Sequence, residues 1–373
     1  MAVDAYYTYW VIKKFIKSQK NESRSSFAEN LALYFALPVG GLTALIWLII
    51  FYINNGDVRL SGWPSIGGAA MIDAGVITFL GFIFGFLMGQ RYSDGIDKLD
   101  LKKPKLLFNC VTLSTAYTII SLVLTAIAIY AFNEAFKGIV MPDLSSSIIV
   151  GIFSALTVYI VINTSVDLKT TGVVNALILF IVGGTYISMV TTNNPQWWQV
   201  NFSSLGATSA RSAIPFNVTM ILSGFLLLCL ADYMLSDLKV IIKGRKSSAT
   251  YKTRVVNVLF VLISLSLTGV GLFPWNVYPS LHNISAYNLI CSFSIIVIGL
   301  RWFIPSLSKT FMVNSYVLLG SLFASFALWR PLGYFNQTAF ELIAFSLTFT
   351  WLVLFLRNIS NMKDYSLKSN KLA

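Results

Sequence analysis

The chain has 373 residues, 56% hydrophobic and only 11% charged, with a mean hydropathy of +0.72. Soluble domains carry about 45–50% apolar and about 25% charged residues, so an ordinary globular enzyme, a disordered chain and a secreted disulfide scaffold are all excluded. The net charge of +12 would suit nucleic acid, but its distribution along the chain assigns it elsewhere.

Residues 5–20 show helical amphipathicity: Tyr7, Val11 and Phe15 share a side with Ile12 and Ile16, and Lys13, Lys17 and Lys20 fall opposite. This pattern predicts a short helix on the cytoplasmic surface. A polar run over 21–26 then precedes a full-length apolar segment with no small-residue cleavage site, unlike a signal or transit peptide.

A helix rises about 1.5 Å per residue, so about 20 apolar residues cross a hydrocarbon core about 30 Å thick. Ten segments qualify: 31–53, 69–89, 107–132, 144–163, 173–190, 215–236, 254–274, 283–304, 311–330 and 337–357. Backbone groups in lipid must bond within their own segment, and no alternating strand pattern appears. The expectation is an all-α integral membrane protein of about ten transmembrane helices. Its parts are a cytoplasmic amino-terminal segment (1–30), a four-span half (31–171), a six-span half (172–358) and a cytoplasmic tail (359–373).

With both termini cytoplasmic, 23 of the 27 lysines and arginines fall on the inner side. Only Arg59, Lys137, Arg211 and Arg330 lie outside. An odd number of spans would destroy that asymmetry, so ten helices with both ends inside is the predicted topology. Lys102, Lys103, Lys105, Lys243, Arg245 and Lys246 then sit beside anionic headgroups, which accounts for the basic charge without a nucleic-acid partner.

The first span opens with Leu37-Pro-Val-Gly-Gly41. Broken helices of this kind surround transporter sites, although an ordinary proline-distorted helix is the favoured reading of Pro38. In the second span Gly81, Gly85 and Gly89 recur every four residues, predicting a face for close helix packing, within the chain or against a second copy. Ionisable residues near spans are few. Asp73 and Glu341, each early in a span entered from outside, are the candidates for ion coupling, and Asp232 and Arg301 are a candidate clamp. Cys110, Cys229 and Cys291 fall inside spans, away from any extracellular disulfide. His282 is the single histidine, which excludes a histidine-built zinc or haem site, and no cofactor is implied.

Sequence character changes most in the outer loops. The longest, 191–214, carries Trp197 and Trp198 ahead of a run of small and hydroxyl residues with Arg211. The next outer loop reads Gly269-Val-Gly-Leu-Phe-Pro-Trp-Asn-Val-Tyr-Pro-Ser-Leu-His-Asn283. Ser203, Ser204, Arg211, Asn217 and His282 are predicted to line one polar recess. Arg211 would meet an anionic headgroup, with Trp275 and Tyr278 covering the less polar part of the ligand.

Ser204-Leu-Gly206, Asn217 entering a span with Gly224, Gly269-Val-Gly-Leu-Phe-Pro274 and His282 together resemble the six-span bacterial domain of unknown function 998. The resemblance covers residues 172–358, and that family is similar to the FRAG/DRAM/SFK membrane proteins. It implies an association with lipid handling or membrane-protein regulation and transfers no mechanism. No phosphate-binding loop occurs, and spacing alone does not bring Ser203 or Ser204 to His282. The expected function is therefore non-catalytic binding or movement of a lipid or amphiphile at the outer leaflet of a plasma membrane. The alternatives are a secondary transporter and a regulatory or assembly subunit, with membrane lipids, a second copy or a membrane subunit as partners. Abundant Ile, Asn and Lys suit a low-GC bacterium.

Overall fold

In a computed structural model of the chain the described residues are 23–54, 57–92, 101–241, 247–304 and 306–372, excluding the side chains of 247–250 and 367–372. The amphipathic segment 5–20 and the basic residues Lys243, Arg245 and Lys246 lie outside them. The helices are α1 (Arg24–Ile53), α2 (Ile66–Tyr92), α3 (Lys103–Ala135), α4 (Asp143–Val166), α5 (Thr170–Thr191), α6 (Ala213–Ile241), α7 (Ser247–Leu272), α8 (Pro279–Phe303), α9 (Lys309–Trp329) and α10 (Gln337–Leu372). All ten are long and apolar enough to cross a bilayer. The chain is an all-α, multi-pass membrane protein.

Burial supports that assignment physically. On α1 the exposed residues Leu33, Leu37, Leu45 and Ile49 form an apolar stripe, and Leu37 is 79% exposed. In water such a stripe is a liability; in a bilayer it is the surface that meets the acyl chains. The sequence showed no strand pattern, yet β1 (Asp57–Arg59) pairs antiparallel with β2 (Val140–Pro142), Val58 opposite Met141. This ribbon is three residues long and joins the loop after α1 to the loop after α3. Strands this short carry too few residues for periodicity to register.

The helices fall into two compact units, residues 1–168 and 169–373. In the first, small residues let backbones touch. A side chain at Gly40 of α1 would meet Ala155 Cβ at 2.6 Å and Gly151 O at 2.7 Å; one at Gly151 of α4 would meet Ala44 Cβ and Gly40 O at the same distances. The crossing is thus a reciprocal Gly-xxx-Ala pair, four residues apart on each helix. Pro38 lies inside a continuous α1, with no break. Gly81, Gly85 and Gly89 of α2 face Val161, Ser165 and Val166 of α4 respectively, so the glycine face is occupied within the chain. Arg24 closes the other end, donating to Val166 O at 2.8 Å and lying 3.8 Å from the Asp167 carboxylate.

In the second unit α6 packs between α5 and α7, and α10 lies against α5, α6 and α9. Gly184 and Gly224 sit directly against Thr219 and Thr268, repeating the glycine-on-hydroxyl contact that Gly85 makes with Ser165. Trp351 of α10 is fully buried, stacks on Phe355 at 4.8 Å and donates its indole N–H to Ser315 Oγ at 2.8 Å. The candidate clamp between Asp232 and Arg301 does not form, because Asp232 faces the core while Arg301 is exposed at the end of α8. Asp237, also buried on α6, lies 3.0 Å from Lys363 Nζ, and Thr170 Oγ1 donates to its carboxylate at 2.7 Å.

Candidate functional site

The loop between α5 and α6 folds into two 3₁₀ turns, Trp197–Gln199 and Phe202–Gly206. Its polar residues hold it by bonding the loop's own backbone. Ser204 donates to Asn201 O at 2.6 Å and Trp197 O at 3.2 Å, tying the turns together. Ser212 donates to Leu205 O at 2.7 Å and Asn217 Nδ2 to Gly206 O at 3.0 Å, tying the second turn to the start of α6. A side chain at Gly206 would collide with Phe216 and Asn217, so the turn needs glycine there. Phe202 is buried between Phe216 and Phe345, ring centroids 5.2 and 5.6 Å away.

Two further contacts aim this turn. Glu341, in the second turn of α10, accepts the Phe202 backbone N–H on Oε2 at 2.7 Å and the Gln337 side-chain amide on Oε1 at 2.7 Å. The next residue, Ser203, then brings its Oγ to 3.0 Å from His282 Nε2. His282 stands at the start of α8, buried, with Nδ1 2.9 Å from Phe273 O. A carbonyl oxygen only accepts, so these partners assign the proton to Nδ1. Nε2 of the neutral ring is then the acceptor, and the Ser203 hydroxyl donates to it.

Behind this pair lies a recess of about 130 Å³. Ser203, His282, Asn283, Gln337 and Glu341 form its polar end; Met220, Leu267, Phe340 and Phe345 are among its apolar walls. Along α10 the lining residues are 337, 340, 341, 344, 345 and 348, one face of the helix. From Glu341 to Thr348 is about 10 Å at 1.5 Å per residue. At that depth the Thr348 hydroxyl is buried without a hydrogen-bond partner among the described residues.

Ser203 and His282, expected at one polar recess, therefore meet, and Glu341, expected to couple ions, joins them. Ser204 and Asn217 leave that recess because their side chains hold the loop backbone. Arg211 is exposed and contributes its backbone N–H to Asn193 Oδ1 at 3.3 Å. Trp275 is half-buried and Tyr278 is 52% exposed; neither lines the recess, and Tyr278 packs edge-on against Phe273 instead. Sequence reasoning missed Asn283, Gln337 and the aromatic wall on α10. The available signal was Gln337 and Glu341, a polar pair one helical turn apart opening the last span.

Compared with known protein families, curated proteins and solved structures, the chain matches none.

Asp73, the other candidate for ion coupling, sits in the first unit. The residue is 8% exposed, and its carboxylate accepts the Trp47 indole N–H at 3.1 and 3.2 Å and the Ser154 hydroxyl at 2.6 Å. The neighbouring residues Trp47, Ala69 and Val150 belong to one apolar cluster. Asp73 has no ion-pair partner among the described residues.

Proposed function

We propose that residues 169–373 bind a lipid or another amphiphile in this recess, at the outer leaflet of a plasma membrane, with both termini cytoplasmic. The observation that carries the reading is the recess itself. Polar groups at one end and aromatic and aliphatic walls along α6, α8 and α10 match a molecule with a headgroup and a chain. The 23-to-4 division of basic residues supports the orientation, and the resemblance of residues 172–358 to the domain of unknown function 998 points to lipid handling.

The test is binding of a fluorescent ether phospholipid to the full chain in detergent, with Ala344→Trp as the variant that fills the recess. Saturable binding lost in Ala344→Trp supports the proposal. Equal binding by the variant, or none by either, removes it. Movement of the ligand is a separate question, read from labelled lipid in reconstituted vesicles. A rate equal to that of protein-free vesicles restricts the function to binding.

Asp73 favours a second reading, an ion-coupled transporter, because a carboxylate buried in a span with no cation beside it among the described residues is costly, and such residues often mark ion pathways. That reading requires proton-driven uptake that Asp73→Asn abolishes; an unchanged proton flux in reconstituted vesicles would refute it.

A further inference from the structure

We infer that Ser203 is a nucleophile activated by His282, giving the recess an acyl-transfer activity toward an ester-bearing amphiphile. The inference rests on the binding reading above for its substrate class and on the Ser203–His282–Phe273 geometry for its chemistry.

The hydroxyl bonding in this protein separates Ser203 from its neighbours. Ser114, Ser188, Ser264, Ser294 and Ser315 each donate to a carbonyl one helical turn back, the usual way a hydroxyl is satisfied in a membrane helix. Ser204, adjacent in the same turn, spends its hydroxyl on two loop carbonyls. Ser203 alone in that turn directs its hydroxyl to an imidazole nitrogen, and it does so facing the recess. Nucleophile, base and orienting group are thus in line: Ser203 Oγ, His282 Nε2 at 3.0 Å, and Phe273 O at 2.9 Å from His282 Nδ1. The third member is a carbonyl rather than a carboxylate. It fixes the tautomer that catalysis needs and stabilises the imidazolium less than a carboxylate would.

Ser203 Oγ forms a bond to the ester carbonyl carbon as its proton passes to His282 Nε2. The carbon–oxygen bond to the alcohol portion then breaks, and the departing oxygen takes that proton. The acyl group is left as an ester on Ser203. Water attacks this ester, His282 accepting the water's proton and returning it to Ser203 Oγ, and a carboxylic acid leaves. The side-chain amides of Asn283 and Gln337 also line the recess and are the N–H donors available to the carbonyl oxygen, one N–H of Gln337 already going to Glu341 Oε1. Glu341 is a positioning residue, since it holds the backbone that carries Ser203.

The test treats the full chain in detergent with a long-chain alkyl fluorophosphonate, maps the adduct by peptide mass spectrometry, and measures ether-phospholipid binding on the same samples. The expected result is one adduct at Ser203, absent from heat-denatured protein and from Ser203→Ala. His282→Ala should slow labelling by about 10²-fold or more, the usual contribution of a general base. Adduct mapping in the unaltered chain decides the matter even if either variant fails to fold. Bound ether lipid with no adduct at Ser203 overturns this inference and leaves the binding reading standing. Neither binding nor an adduct overturns both.

Discussion

The two units put buried polar groups to different uses. In residues 1–168 the Asp73 carboxylate is capped by Trp47 and Ser154, between helices brought together by the Gly40–Gly151 crossing. In residues 169–373 Ser203 and His282 satisfy each other and Glu341 takes the Phe202 N–H and the Gln337 amide, but they do so at the wall of a recess. Both solve the problem that an unpaired polar group in a low-dielectric interior is costly. The difference teaches that hydrogen-bond satisfaction alone does not mark a functional site in a membrane protein. Access does.

The largest expected effect comes from the tightest packing. Gly40→Leu places a side chain against backbone that cannot yield, so its cost is at or beyond the top of the usual overpacking range of about 1–3 kcal/mol. Gly41→Ala, one residue on and facing open space, should instead be neutral or stabilising by about 0.5–1 kcal/mol. Thermal unfolding in detergent compares them, and equal melting temperatures would dissolve the account of the crossing.

Next is Asp73→Leu, which strands the Trp47 N–H and the Ser154 hydroxyl at about 1–3 kcal/mol for each group left unpaired. Asp73→Asn keeps a carbonyl acceptor and should cost less. Neither should alter ether-lipid binding, which lies in the other unit; a matching loss of binding would break the comparison.

Glu341→Ala should release the Phe202 turn, lowering ether-lipid affinity about 10-fold, equivalent to about 1.4 kcal/mol. Glu341→Gln retains one carbonyl acceptor and should recover part of the loss. Equal effects of the two variants would show that charge, not positioning, is what Glu341 provides. The smallest effect belongs to Arg211→Ala. Its side chain is exposed and does not line the recess, so stability should stay within about 0.5 kcal/mol and recess binding should not change. A large loss of binding would restore Arg211 as a headgroup contact.

Much of this was legible in the residues. Each of the ten helices overlaps a segment long enough and apolar enough to be read directly. The spacing of Gly81, Gly85 and Gly89 announced close packing, although not that α4 would be the partner. The site was half legible. Ser203 and His282 were nominated by residue type and by their outer-loop setting. Glu341 was nominated for charge, a different role. Ser204, Asn217 and Arg211 have the same residue types as good ligand-binding groups, but local turn geometry gives two of them to the backbone and leaves the third exposed. Phe273 contributes a backbone carbonyl, which no side-chain pattern encodes.

By itself the sequence determined the solvent of this protein, the number of its helices and the positions of its spans, because hydropathy and length are properties of contiguous residues. Only the tertiary structure decided which polar groups are sealed and which face a recess. Ser203 is 79 residues from His282 and Phe202 is 139 from Glu341. Pairings at such separations depend on which helix faces meet, and that is set by backbone approach and side-chain volume across the bundle rather than along the chain.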